Sequence, residues 1–418
     1  MLKLVYSVCC GVDVHKKSIV ATIVTTDKNN LSTYLQKTFS TLNYDLYCFH
    51  NWLKENNCYH VCMESTGKYW IPIFNVLESD IHVILTHPKY VKAIKGKKTD
   101  KKDSKWIADL FKFDMVKNSF IPPKETRELR EIARYRFKLV CMRSSEKNRI
   151  QNAMTVSNIG IANVLSDPFG VTATQIIDYL LTSPNFDAKD CKKLIKGQAK
   201  KKSTEIIASI EGYSLGTDQR FKMTTAKAHL DYLDQAICDS EVELYARIQP
   251  HMDFVKRLSK LPGFSELSSS LVLAEIGTDM NVFESSKHLT SWAGLTPGNN
   301  ESAGKKKSVR ITHAGQYLKP LLVQCALAAV KSKKEPYFAI KYNRIKKRRG
   351  HKKAIIAIAR MLLTCIYHMI KTGTDFNPID YKELTNPKPH SKKVELSVET
   401  ALQYLTSQGI DVSALALP

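Results

Sequence analysis

The chain has 418 residues, 43% of them hydrophobic, which is enough apolar material for two or three domains and excludes a wholly disordered protein. Lysines and arginines number 63 against 40 aspartates and glutamates, a formal net charge of +23, and the excess recurs in runs at 95–105, 192–202, 305–310 and 346–353, so a polyanionic partner is favoured over a merely solvated basic surface. The ten cysteines form no CxxC pair and no zinc-finger spacing, which disfavours a structural zinc site; Cys62, Cys141, Cys325 and Cys365 lie in apolar runs and read as reduced core residues of a cytosolic protein.

The first quarter of the chain alternates strand and helix patterns. The apolar run Val5–Val12 reads as a strand ending at Asp13. Ser18–Thr26, rich in β-branched residues after the turn-like His15-Lys16-Lys17, pairs with it as a hairpin, and Leu31–Phe39 is a weaker third strand. Asn43–Asn56 has a helical pattern. His60–Met63 is a strand ending at Glu64, Tyr69–Glu78 a helix and Ile81–Thr86 a further strand. Lys98–Ala108 opens a helix in which Asp100 and Asp103, three apart, share one face. The resulting order is β-β-β-α-β-α-β-α.

Two acids at strand ends and two on one helix face can converge on a point. Converging carboxylates repel unless a cation lies between them, and hard oxygen donors suit Mg²⁺ or Mn²⁺. Taken singly, Asp100 is a helix cap and the others are surface acids. Taken together, GVDVHKK, CMESTGKYW and KKTDKKDSKWIADL point to metal-assisted phosphate-ester chemistry. The flanking lysines (16, 17, 68, 97, 98, 101, 102 and 105) then form a cradle for nucleic acid.

The texture changes at Pro122-Pro123. Residues 124–160 are helical and basic, with Arg127, Arg130, Arg134, Arg136, Lys138, Arg143, Lys147 and Arg149 interleaved with Leu129, Ile132, Leu139 and Met142. Guanidinium forks match phosphate oxygens. Tyr135 and Phe137 read either as core residues or as platforms for bases. Residues 187–260 carry long amphipathic helix patterns, notably Ala226–Leu258, as in a coiled-coil or hairpin insert. Leu261-Pro262-Gly263-Phe264 ahead of Leu267–Ile276 reads either as a helix-hairpin-helix turn that holds a phosphate or as a plain turn between packed helices. Lys341–Lys353, with Arg344, Arg348 and Arg349, is a second candidate for backbone contact. The apolar stretch Ala354–Ile370 is interrupted by Arg360 and is shorter than the roughly 20 residues of a spanning helix, so it reads as a buried amphipathic helix. With no cleavable leader at the N-terminus, the expectation is no membrane association. A short helix is expected near Glu395–Ser407.

In order and spacing, the three acidic motifs resemble those of DEDD-type insertion-sequence transposases, a family of recombinases guided by a bridging RNA, and the resemblance runs from about residue 8 to residue 370. It implies an α/β RNase H-like (RuvC-like) catalytic domain over 1–121. A basic helical or coiled-coil region for RNA binding and oligomerisation follows over 122–258. A mostly α-helical transposase domain with the catalytic serine covers 259–372, and a tail 373–418. The four family acids fall on Asp13, Glu64, Asp100 and Asp103, as catalytic residues and as ligands of Mg²⁺ or Mn²⁺. The segment Ser291-Trp292-Ala293-Gly294-Leu295-Thr296-Pro297, continued through Ser302 to Arg310-Ile311-Thr312-His313-Ala314-Gly315-Gln316, is similar to the family's AGL-x-P, S-G and I-T-K-x-G-N segments. Ser302, by itself an ordinary turn serine, takes the position of the nucleophile. His313 and Gln316 depart from the usual lysine and asparagine.

The resemblance further implies attack of Ser302 on a DNA phosphodiester, a phosphoserine-linked end, then strand exchange and religation. No ATP is required, in keeping with the absence of a GxxxxGK[ST] motif. Acids and serine form a composite site from different subunits, hence a homodimer or homotetramer, and a noncoding guide RNA pairs with donor and target DNA. Nucleic-acid contacts fall to Arg127, Arg130, Arg134, Arg136, Arg143, Lys147, Arg149, Lys305, Lys306, Arg310, Arg344, Arg348 and Arg349. The protein is expected in the cytoplasm, associated with the nucleoid. Two other readings stand beside this one: a RuvC-like junction-resolving nuclease that hydrolyses DNA without a serine intermediate, and a non-catalytic nucleic-acid-binding protein.

Overall fold

Runs of β-branched and small apolar residues near the N-terminus pair as strands β1 (Val8–Val14), β2 (Ser18–Thr26) and β3 (Ser32–Ser40). The computed structural model describes residues 3–64, 67–87, 100–116, 118–183, 185–298, 300–302, 305–308, 310–385 and 398–411. It divides into two units, 1–125 and 126–418. In the first unit, helix α1 (Asn43–Glu55), strand β4 (His60–Glu64), helix α2 (Trp70–Leu77), strand β5 (His82–Thr86), helix α3 (Asp100–Phe111) and the two-residue strand β6 (Asn118–Ser119) follow in order. The sheet runs β3-β2-β1-β4-β5-β6. β1 is antiparallel to β2, β2 to β3 and β5 to β6, whereas β1, β4 and β5 are mutually parallel. This is the expected β-β-β-α-β-α-β-α order with a short closing strand added at one edge, and a mixed sheet of this kind followed by helices is consistent with an RNase H-like fold.

Strand side chains alternate between faces, and the two faces have different partners. Cys10, Val12 and Val14 of β1, with Val61 and Met63 of β4, pack against Leu46, Phe49 and Leu53 of α1 and Ile73 and Leu77 of α2. Cys9 and Cys62 pack on the opposite side against Ile107, Ala108 and Phe111 of α3. Gly11 lets α3 lie directly on the sheet: a methyl group at this position would strike the Ala108 nitrogen and the Ser104 carbonyl. A polar cluster pins the same helix toward its N-terminus. Thr22 and Ser104 hydroxyls share a hydrogen bond of 2.7 Å, and Gln36 donates to Thr22 at 2.7 Å and to the Lys101 carbonyl at 2.8 Å.

The second unit is helical. Two long helices, α4 (Lys124–Val156) and α9 (Thr217–Ile248), run antiparallel, as their cross-helix pairs show. Arg136 donates to Glu241 at 2.7 Å, Arg143 to Asp234 at 3.0 Å and Arg247 to Glu128 at 3.2 Å. At one end the pair closes a core with the short helices α5 (Ile161–Val164), α6 (Val171–Thr182), α7 (Ala188–Leu194) and α8 (Ser203–Ala208). Along the middle only Leu139, Leu233 and Ile237 are buried as a cluster. A two-helix contact buries a narrow stripe, which is why Cys141, expected in a core, is exposed, as are Tyr135 and Met142. The helical run expected over Ala226–Leu258 is broken: Pro250, lacking an amide proton, sits in a 3-10 turn, Gln249–His251, between α9 and α10 (Met252–Ser259).

At the other end, Leu129 and Ala133 of α4 join a larger core built with α10, α11 (Glu266–Ile276), α12 (Ser286–Trp292), α13 (Leu318–Ala329), α14 (Tyr337–Arg349) and α15 (His351–Thr372). Strands β7 (Asn300–Ser302) and β8 (Lys305–Ser308) form a separate hairpin, and helices α16 (Tyr381–Thr385) and α17 (Val398–Ser407) close the chain. Helix α15 has 22 residues, longer than its apolar stretch suggested, and by length and composition alone it could cross a membrane. Ala354, Ile358, Leu362, Leu363 and Ile366 are buried within this core. The glycine of the Leu261-Pro262-Gly263-Phe264 turn is used for packing. At φ +85°, Gly263 lies so close to the Cys325 carbonyl and Ala329 of α13 that no side chain would fit.

Candidate active site

The alternation that sorts the sheet's two cores also places the acids. Asp13 follows Cys9 and Gly11 on the α3 face of β1, and Glu64 follows Cys62 on the same face of β4. The strands are parallel neighbours with Val12 opposite Met63, so both acids stand at the same strand ends. Helix α3 crosses this face with its first turn at that end and carries Asp100 and Asp103 in that turn.

Asp13 is buried, with 8% of its surface exposed, and Asp100 is open to solvent. His15 lies between them: its Nε2 is 3.3 Å from an Asp13 carboxylate oxygen and 3.4 Å from one of Asp100. Burial pushes the Asp13 carboxyl above the ordinary carboxylate range. The charges of Asp100, Glu64 and Asp103 push it the same way, and His15 opposes them. The other three sequence-predicted acids therefore all act on Asp13.

A divalent cation fits this arrangement. One ligand atom each from Asp13, His15 and Asp100 lie within 4.8 Å of one another. Beside Glu64, its strand partner Thr86 is wholly buried, and its hydroxyl has no hydrogen-bond partner among the described residues. Such an orphan beside a carboxylate cluster suits an ion or its water. His15 was not singled out by the sequence. The available signal was its position two residues after Asp13, which gives it the same face on a strand continued by one step. Lys97 and Lys98, two members of the expected lysine cradle, lie outside the described residues.

In the second unit Ser302 lies on β7 opposite Lys305 at the turn end of the hairpin. The side chains of Ser302, Lys305 and Lys306 lie outside what the structure describes. The base of the hairpin is tightly built. Pro297 bridges to Ile311, and the Gly298 amide donates to the Arg310 carbonyl at 3.1 Å. Below it, Gly294 (φ +68°) and Gly315 (φ +71°) bring two loops into backbone contact, where a Cβ on either would collide with the other loop. Lys319 Nζ donates to the Thr312 carbonyl at 2.7 Å, and its burial lowers its affinity for a proton. His313 and Gln316 are exposed.

The arginines of α4 have protein partners. Arg134 grips Glu275 with two hydrogen bonds, 2.8 and 2.9 Å, and its guanidinium stacks over Tyr317. Arg130 reaches the Glu275 backbone carbonyl. Arg136 and Arg143 pair with Glu241 and Asp234 of α9, and Arg149 with Glu146, which also pairs with His229. Lys147 lies over the Phe169 ring, and Phe137 meets Tyr317 edge-on. Arg344 is exposed and donates to the Leu384 carbonyl at 2.9 Å. By contrast, Lys347, Arg348, Arg349, Lys352 and Lys353, at the corner between α14 and α15, are exposed and pair with no acid among the described residues.

A cluster of acids where two strand ends meet a helix start on such a mixed sheet, followed in the chain by a helical unit with an exposed basic corner, has the charge arrangement of a protein that handles nucleic acid. A transposase family model of the DEDD type matches residues 10–159, and a model described as the transposase IS116/IS110/IS902 family matches residues 255–343. The transposase for insertion sequence element IS1111A from Coxiella burnetii is 24% identical over 320 residues, covering 74% of this chain and 77% of that relative. A Sinorhizobium fredii protein with the provisional transposase name y4pF/y4sB is 27% identical over 135 residues, covering 31% of this chain and 35% of that relative. The chain belongs to the DEDD-type insertion-sequence transposases.

Proposed function

We propose that this transposase breaks and rejoins DNA with two cooperating groups, the acid cluster Asp13, Glu64, Asp100 and Asp103 and the hydroxyl of Ser302. The observation that carries the reading is the convergence at Asp13. A buried carboxylate facing three further acids is costly unless a cation is held there. When bound by these residues, Mg²⁺ or Mn²⁺ supplies charge neutralisation at the phosphoryl oxygens.

The remaining chemistry belongs to the chain. The Ser302 oxygen attacks phosphorus; as its bond to phosphorus forms, the bond from phosphorus to one DNA oxygen breaks. The serine gives up its hydroxyl proton and the departing DNA oxygen takes one up. The phosphoserine link keeps the energy of the phosphodiester, so attack by a second DNA end restores both the serine and a phosphodiester without a nucleotide cofactor. The two groups are proposed to come from different subunits of a homo-oligomer.

The exposed corner Lys347–Lys353, with Arg348 and Arg349, is the favoured backbone contact, together with Lys305, Lys306 and Arg310 on and beside the hairpin. Arg127, Lys147 and Arg344 are proposed as further contacts. Arg130, Arg134, Arg136 and Arg143 serve this surface at second hand, by fixing α4 to its neighbours, and Arg149 by holding Glu146 within α4. A noncoding RNA transcribed beside the gene is proposed to select donor and target by base pairing.

Recombination between donor and target plasmids, with that RNA supplied, tests the scheme. Asp13→Asn and Ser302→Ala should each abolish product, as should removal of divalent ions with a chelator. Full activity of Ser302→Ala would sink the serine step and favour hydrolysis by the acids alone.

A further inference from the structure

Within the acid cluster one neighbour is not an acid. His15 is the first residue beyond β1, and continued strand alternation turns it to the same face as Asp13. Its Nε2 approaches the carboxylates of Asp13 and Asp100 at 3.3 and 3.4 Å. The three ligand atoms lie within 4.8 Å of one another, which is the spacing of donors around one ion. The imidazole remains partly exposed, 46% of its side chain, so solvent and ions reach it.

We propose that His15 is a nitrogen ligand of the cation held by Asp13 and Asp100, and that it biases this position toward Mn²⁺ over Mg²⁺. The inference rests on the metal-binding reading above and adds the identity of a donor and its consequence. Mg²⁺ is a hard ion that keeps oxygen ligands and sheds water reluctantly. Imidazole is bound best by later ions such as Fe²⁺, Ni²⁺ and Zn²⁺; of Mn²⁺ and Mg²⁺, Mn²⁺ is the one that accepts a nitrogen donor more readily, because Mg²⁺ holds to a strict octahedron of oxygens. A set of four acids alone would show no such bias from nitrogen. The competing account makes His15 only a hydrogen-bonding bridge between two carboxylates, which an arriving ion would displace.

The decisive experiment is pulsed electron paramagnetic resonance of Mn²⁺ on the full-length protein without DNA, combined with Mn²⁺ titration in the presence and absence of Mg²⁺. The expected result is a ¹⁴N coupling on the bound Mn²⁺ that changes to the ¹⁵N pattern when histidines alone are ¹⁵N-labelled. His15→Ala should still bind Mn²⁺ but lose the coupling, with Mn²⁺ affinity falling about tenfold and Mg²⁺ affinity moving less than about threefold. His15→Gln, which keeps a polar side chain, should behave as His15→Ala does. Because the labelling experiment uses the unmutated chain, it tests for a histidine nitrogen on the ion even if a variant misfolds, and His15 is the histidine that meets the acid cluster among the described residues. Mn²⁺ bound in a manner abolished by Asp13→Asn, yet without nitrogen coupling, would overturn the role of His15 and leave the acid site intact. Absence of any Mn²⁺ binding by the unmutated protein would overturn both.

Discussion

Asp13 and Gly11, two residues apart on one face of one strand, do opposite things: one supplies charge and the other supplies nothing but space. Without a side chain at Gly11, α3 rests its backbone on the sheet, and the first turn of that helix brings Asp100 to the His15 imidazole that Asp13 also meets. Gly11→Ala should therefore push α3 away from β1. Overpacking of this kind costs about 1–3 kcal/mol, and here the collision is with backbone, so the upper end is expected. Urea denaturation of the full chain followed by fluorescence checks it; unchanged stability would mean that α3 does not sit on Gly11. The acids themselves were legible in the sequence, because an acid that ends an apolar run on a strand, and two acids three apart on a helix, have few geometries open to them. His15 was not legible, since a histidine after a strand reads as a turn residue until the facing carboxylates are known. Thr86 was hidden for the same reason: nothing local distinguishes an orphan hydroxyl from a satisfied one.

Helix α4 carries the strongest lesson about elements. Arginines recurring at helical spacing look the same in sequence whether they face phosphate or protein. Their partners Glu275, Glu241 and Asp234 lie 141, 105 and 91 residues further along the chain, beyond the reach of any local pattern. Arg130 and Arg134 converge on Glu275, which is only 5% exposed, so Glu275 ties α4 to α11. Glu275→Ala would leave two partly buried guanidinium groups without their carboxylate, Arg130 keeping only the backbone carbonyl. Removing one partner of a buried ion pair costs about 3–5 kcal/mol, and a loss of that size is expected in chemical denaturation of the variant. A change below about 1 kcal/mol would show that solvent already compensates both arginines. The basic corner between α14 and α15 was legible as charge and stays exposed, because its residues crowd one turn with no acid beside them. The break at Pro250 was legible in principle, from the missing amide alone. The packing use of Gly263 was not, since a close approach to Cys325 and Ala329 depends on a helix more than fifty residues away.

At the scale of the whole molecule, the division of labour follows the charge distribution. A chain with a net charge of +23 nevertheless gathers Asp13, Glu64, Asp100 and Asp103 at one end of a sheet face, where the other three charges act against ionisation of Asp13. The rest of the chain supplies helices, a serine hairpin held at its base by two glycines in backbone contact, and an exposed basic corner. The proposed chemistry requires two parts of the sequence, one far from the other, to meet on a single phosphodiester. The most direct test is to trap the reaction part-way, digest protein and DNA, and map by mass spectrometry which residue carries the nucleotide. The account predicts a phosphodiester-linked peptide containing Ser302, absent when Asp13 is replaced by asparagine. Cleaved DNA with no peptide attached, or a nucleotide found on any other residue, would contradict it.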